Sequence, residues 1–269
     1  MLWLRRRILL ILSMILIVAV TVTAALSYTH KDMDKKDNIT TTEKQTTEKQ
    51  TTSPPETTLP APAEQKLIAF TFDDGPSNHT RYLIDEMNKR GMKATFFMLG
   101  QNAEKFPETI QYMYQSGHQL GSHTYDHDDI KKLANEDFMW QINKADTAIS
   151  NAVGVIPNAF RPPFGSYSSE KIGLIDKTIV LWSLDTNDWR HKNEENGAQI
   201  VCDAIMNNVS DGSIVLMHDL YPNSINGALM AADQLLAQGY KFVTIDEILS
   251  RDGQIIEQHK PYSKGIPAK

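Results

Sequence analysis

Uncharged apolar residues fill one long run near the amino end of this chain and recur in short bursts from Leu67 onward. The first run, residues 8–28, holds 21 residues without a charge, enough to span a bilayer as a helix. Arg5, Arg6 and Arg7 precede it, an arrangement that leaves the downstream chain outside the cytoplasm. Val22-Thr23-Ala24 also resembles the small-residue site of a cleaved signal, which would make the protein secreted. The run exceeds a usual signal core, so residues 1–28 are read as an uncleaved membrane anchor. Residues 29–65 are polar and repetitive: Thr41-Thr42-Glu43-Lys44-Gln45 returns as Thr46-Thr47-Glu48-Lys49-Gln50, and Ser53-Pro54-Pro55 and Pro60-Ala61-Pro62 come after it. Such a composition cannot bury enough apolar area to fold, and its prolines favour an extended tether.

From Leu67 the pattern changes to apolar runs alternating with helical periodicity. Leu67-Ile68-Ala69-Phe70, Ala94 to Leu99, Ile179 to Ser183, Ser213 to Met217 and Lys241 to Ile245 read as buried strands, with shorter ones at 118–122 and 158–161. Helical spacing occupies 79–90, 103–116, 168–177, 194–209 and 224–238. Another helix opens at Asn135 as N-cap, with Glu136 and Asp137 in its first turn, and stops at Gly154. About seven strand–helix repeats imply a parallel sheet in an α/β domain over residues 66–251. Seven units favour a barrel over an open five-stranded sheet and leave closure open. Residues 252–269 turn polar and read as a loose tail.

Composition narrows the function classes. The net charge of −6 argues against a nucleic-acid binder. A single cysteine, Cys202, allows no intrachain disulfide and reads as a buried structural thiol.

The chemistry gathers where strands end. Asp73-Asp74-Gly75-Pro76 follows the first strand, and adjacent residues at a strand end point in different directions. One carboxylate can therefore bind a metal while the other stays free as a base, although Asp-Gly alone is also an ordinary turn. His123 and His127, at i and i+4, would lie on one face of a helical turn. With Asp74 they make two histidines and one carboxylate, a set that leaves positions open for water and substrate. Phe160-Arg161-Pro162-Pro163-Phe164-Gly165 is a stiff loop with a glycine that permits close approach. Asp185-Thr186-Asn187-Asp188-Trp189 offers an indole beside carboxylates, suited to stacking on a sugar or to a core. Met217-His218-Asp219 closes another buried strand.

Taken together, TFDDGPS, HTYDH, RPPFG, DTNDW and IVLMHD, in this order between residues 71 and 219, resemble the polysaccharide deacetylases, the NodB-homology or carbohydrate esterase family 4 domain. The likeness covers about residues 66–250 and implies a distorted (β/α)7 barrel. The anchor and tether are similar to those of bacterial peptidoglycan N-acetylglucosamine deacetylases. The resemblance implies that Asp73 is the general base and His218 the general acid. Asp74, His123 and His127 would hold one divalent ion, zinc in the first place, with cobalt or manganese tolerated. Arg161 would orient Asp73, and the backbone N–H of Phe164 would help bind the oxyanion. Asp188 would orient His218, Trp189 would wall the groove, and Leu216 would line the acetyl pocket. Phe164 departs from the tyrosine usual in the family and removes a phenol from the site. The implied substrate is the N-acetylglucosamine of peptidoglycan, at the outer face of a bacterial cell membrane, with acetate as product. Chitin oligomers, N-acetylmuramic acid and acetylated xylan remain alternatives. An inactive sugar-binding module would need Trp189 but neither Asp73 nor His218. No nucleic-acid partner is expected, and protein partners stay open.

Overall fold

The protein is described by a computed structural model over residues 65–265. The expected anchor at 1–28 and the expected tether up to residue 64 lie outside that range. Among the described residues no helix is long and apolar enough to cross a membrane.

The strands are β1 (Leu67–Asp73), β2 (Thr95–Met98), β3 (Gln119–Ser122), β4 (Ala159–Phe160), β5 (Thr178–Val180), β6 (Leu184–Asp185), β7 (Ser213–His218), β8 (Lys241–Phe242) and β9 (Pro261–Tyr262). They pair in the order β6-β7-β1-β2-β3-β4-β5-β9, with β8 beside the start of β1. Every strand pairing is parallel. The helices are α1 (Thr80–Lys89), α2 (Gly100–Ala103), α3 (Pro107–Gln115), α4 (Asn135–Val153), α5 (Ser169–Ile172), α6 (Gly197–Asn208), α7 (Pro222–Ala237) and α8 (Ile245–Leu249). The sheet curls into the expected distorted (β/α)7 barrel.

β1 is the axis of this arrangement and explains the position of the site. It is buried on both faces, so it reads as a continuous apolar run rather than an alternation. Its side chains nevertheless alternate. Ile68, Phe70 and Phe72 pack outward with Leu83 and Met87 of α1 and with α6 and α7. Ala69 joins Phe97, Val180, Ile214 and Val243 on the inner face. Thr71 and Asp73 share that inner face by the two-residue period. The apolar pattern thus decides which way the first carboxylate points.

Closure is covalent as much as hydrogen-bonded. One stretch of chain supplies both β5 and β6, and residues 181–183 carry it from its place beside β4 to its place beside β7. The carboxyl end then fills the seam. β9 pairs with β5, Leu181 N donates to Tyr262 O at 2.7 Å, and Gly265 N donates to Gly212 O at 2.7 Å. Lys264 forms an antiparallel bridge with Ser213 at the start of β7. The expected loose tail is therefore corrected for residues 252–265: Ile256 and Tyr262 are partly buried against the inner cluster. Composition concealed this because backbone pairing needs no apolar sequence.

Other boundaries moved for local reasons. The last predicted strand stops at Phe242 because Thr244 caps α8. Its hydroxyl accepts from Glu247 N at 3.2 Å while Glu247 Oε2 accepts from Thr244 N at 2.8 Å. Asn135 is the first helical residue rather than the cap, and its amide donates to Glu170 Oε1 at 2.9 Å. Cys202 is buried in α6, as expected.

A chain ending at Gln258 loses β9 and the bonds that close the seam. Two to three backbone hydrogen bonds at ~1 kcal/mol each should lower the melting temperature by roughly 4–10 °C, measured by circular dichroism. An unchanged melting temperature would show that the seam contributes nothing to stability.

Candidate active site

Parallel register delivers the polar residues to one rim. Asp73 stands beside Phe97 on β2 and His218 on β7, while Ser122 pairs with Phe160. His123 and Arg161 are the next residues along, so four strand ends converge on one space. A cavity of about 480 Å³ opens there, with Asp73, Asp74, His123, His127, Leu216 and His218 in its wall.

Arg161 is fully buried and holds the first carboxylate. Its Nη1 donates to Asp73 Oδ1 at 2.8 Å and to Thr71 Oγ1 at 2.7 Å. Its Nη2 donates to Leu181 O at 2.9 Å, and its guanidinium lies 4.2 Å from the centre of the Phe97 ring. Burial pushes the Asp73 pKa above the usual carboxylate range, and the Arg161 charge opposes that only in part. Asp73 Oδ2 faces His123 Nε2 at 3.8 Å.

Asp74 turns away from its neighbour through a left-handed backbone, φ 70°. Asp74 N donates to Phe97 O at 3.1 Å, and Asn102 Nδ2 donates to Asp74 O at 2.8 Å. Asp74 Oδ1 then lies 3.6 Å from His123 Nε2 and 3.5 Å from His127 Nε2. His123 Nδ1 donates to Arg161 O at 2.6 Å, since a carbonyl only accepts, and this leaves Nε2 with its lone pair toward Asp74. Burial pulls the His123 pKa down to about 3, with the Asp74 charge only partly opposing, so the ring is neutral and able to ligate. The two histidines do not share a helical turn, as spacing had suggested. Thr124 and His127 both have positive φ, and the loop is tied by Gln141 Oε1, which accepts from Tyr125 N at 2.8 Å.

These three residues fit a metal ion. Asp74 Oδ1 is buried with no protein partner, facing two imidazole nitrogens. With Asp74 Oδ1 at 3.5 and 3.6 Å from the two imidazole nitrogens, all three atoms lie close enough for one ion to bond them together.

On the opposite wall His218 Nδ1 is bonded to Asp188 Oδ1 at 2.8 Å, and His218 N donates to Asp188 Oδ2 at 2.7 Å. Asp188 is fully buried and also accepts from Trp189 N at 2.9 Å and from the Ser224 hydroxyl. Burial alone would lower the His218 pKa. The Asp188 hydrogen bond and charge, with the charges of Asp73 and Asp74, outweigh it and raise the value to about 9. His218 Nε2 lies 3.8 Å from Asp74 Oδ2.

The structure brings all ten sequence-derived site residues together. Phe164 is 68% exposed at the mouth, with φ 62° and its ring edge-on to His127 at 4.5 Å. Trp189 is 46% exposed and also lines the cavity. Sequence reading missed Trp182, Asp185 and Tyr221 in the wall, and the supporting hydroxyls of Thr71 and Ser224. Thr71 could have been found from its position two residues before Asp73, on the same strand face. Nothing in the sequence marks Ser224.

A proton NMR titration of the metal-free protein should give His218 a midpoint near 9. Asp188→Asn should lower it clearly, because burial stays while the nearest counter-charge goes and only the charges of Asp73 and Asp74 still oppose it. The folded value lies above 6.5, so the stability lent by charged His218 is full below that pH and lost as pH rises through about 9. A His218 midpoint unmoved by Asp188→Asn would contradict this account.

Comparison with known proteins agrees with the geometry. A family model for polysaccharide deacetylases matches residues 61–178. The chain is 36% identical over 202 residues to the peptidoglycan-N-acetylglucosamine deacetylase PgdA of Listeria monocytogenes; this covers 75% of the chain but only 42% of that longer protein. A peptidoglycan-N-acetylglucosamine deacetylase of Bacillus cereus is 32% identical, with 68% of each chain covered. The cobalt complex of a family 4 acetyl xylan esterase from Clostridium thermocellum superposes with a TM-score of 0.68 at 30% identity, covering 74% of this chain and 98% of that one. The chain belongs to the polysaccharide deacetylase family.

Proposed function

We propose that this domain uses a divalent ion, zinc in the first place, to hydrolyse N-acetyl groups of cell-wall glycan, with N-acetylglucosamine of peptidoglycan as substrate. One observation carries the reading. A buried carboxylate and a cationic imidazole, Asp73 backed by Arg161 and His218 backed by Asp188, sit on paired strand ends beside the Asp74, His123 and His127 donors. An amide needs both a base to activate water and an acid to release the amine.

An ion held by the three donors would supply Lewis-acid polarisation of the amide carbonyl and a nucleophilic water near neutral pH. Asp73 takes the proton of the attacking water; Arg161 fixes its direction while burial strengthens its basicity. The Phe164 N–H offers a donor to the developing oxyanion. His218, cationic at neutral pH, protonates the departing nitrogen, and Asp188 holds its ring. Trp189 stacks on the sugar and Leu216 receives the acetyl methyl. A module that only binds sugar would have no use for the His218–Asp188 pair.

The names of the Listeria and Bacillus cereus relatives support peptidoglycan as the substrate. The cobalt-bound esterase supports a divalent ion. Residues 1–28 would anchor the chain and 29–65 would tether the catalytic domain on the outer side of the membrane, facing the wall. Acetate release from purified peptidoglycan, chitin oligomers and acetylxylan, measured side by side, tests the substrate. Faster release from chitin or xylan would overturn the peptidoglycan reading.

Three variants test the roles. Elemental analysis of His123→Ala plus His127→Ala should find the metal gone; stoichiometric metal in the double variant would overturn the ligand set. Asp73→Asn should keep its metal and lose about 10²–10⁴-fold in turnover. His218→Ala should lose a similar factor on the N-acetyl sugar but far less on an activated aryl acetate, whose leaving group needs no proton. Equal loss on both substrates would remove His218 as the leaving-group acid.

A further inference from the structure

Asp219 follows His218 at the end of β7 but points the other way, into the protein. It is fully buried, and its Oδ1 has no partner. Burial pushes its pKa up to about 7. An enclosed carboxylate with an unsatisfied oxygen costs the fold stability, so what its position serves is the question.

Its contacts show what it serves. Asp219 Oδ2 accepts from the Thr80 hydroxyl, and Asp219 O accepts from Ser77 Oγ at 2.6 Å. Thr80 Oγ1 in turn accepts from Ser77 N at 2.7 Å. The Ser77–Thr80 turn is therefore fastened to Asp219 at two points. The carboxylate also fills the space beside Gly75, where any Cβ would collide with it. On the far side the same segment is held by Asn102, which donates to Asp74 O at 2.8 Å, and by Leu99 N, which donates to Gly75 O at 3.1 Å. Asp74 and Gly75 are thus clamped between α2 on one flank and Asp219 on the other. The left-handed backbone of Asp74, which aims its carboxylate at His123 and His127, is strained for a non-glycine residue and persists only when its surroundings impose it.

We propose that Asp219 is a positioning residue that, through Thr80 and the space beside Gly75, locks the backbone of Asp74 and so sets the metal affinity of the Asp74, His123 and His127 donors. The inference rests on the reading of those three residues as ligands. It also ties the metal carboxylate to the strand that carries His218, because Asp219 and His218 are consecutive.

The test uses cobalt(II) as probe on the metal-free protein and reads the dissociation constant and the visible d–d bands, not turnover. Outer partners of metal ligands typically alter affinity by about 10–100-fold, and Asp219→Ala should fall in that range with a changed band pattern. Asp219→Ala could fail to fold, so the Thr80 pair carries the decision. Thr80→Val keeps the shape and removes the hydroxyl; it should weaken cobalt binding by about 10-fold or more. Thr80→Ser keeps the hydroxyl and should bind as wild type does. If Thr80 only filled space, the serine would do the damage and the valine would not, which would overturn the proposal. Wild-type affinity and bands in Thr80→Val would overturn it too. A wild-type protein that bound no cobalt would overturn the ligand reading itself, and this inference with it.

Discussion

The buried guanidinium of Arg161 is the contact on which the site depends. It reaches Asp73 and Thr71 on β1, and the carbonyls of Val180 and Leu181 at the point where the chain crosses the seam. Its own carbonyl orients His123. One residue thus fixes the direction of a carboxylate, the tautomer of an imidazole and the path of the closing segment. A lone cation in this place would be intolerable; it is sustained by four acceptors and by the Phe97 ring beneath it.

The site sets two buried ion pairs against each other. Asp73 with Arg161 is a carboxylate kept near a cation yet made more basic by enclosure. His218 with Asp188 is an imidazole made less acidic by its counter-charge. The same chemistry, a carboxylate beside a cation, gives one group that accepts protons and one that carries them. The difference lies in which member faces the cavity: the carboxylate in the first pair, the imidazole in the second.

Much of this was legible in the sequence because strand ends are easy to read. An apolar run followed by Asp73-Asp74-Gly75 fixes both the place and the facing of the first carboxylate through the period of two. The pairing of Arg161 with Asp73 was legible only through family resemblance, since the two lie some ninety residues apart along the chain, and the Thr71 hydroxyl beside them was not read at all. The His123–His127 loop misled because i, i+4 spacing fits a helix, whereas positive φ at Thr124 and His127 brings the rings together by another route. The carboxyl-terminal strand stayed hidden for a different reason: its contribution is backbone pairing, which polar residues make as well as apolar ones.

The direction of β1 has a mechanical consequence. The chain enters the domain at Gln65, whose carbonyl is held by Arg251 and whose amide donates to Gly239 O, at the blind end of the sheet. It emerges on the catalytic rim at Asp73 after seven strand residues, about 20 Å further on at the usual rise per residue. A pull applied at the amino end of the domain therefore acts along β1, from the blind end, while the mouth looks the other way.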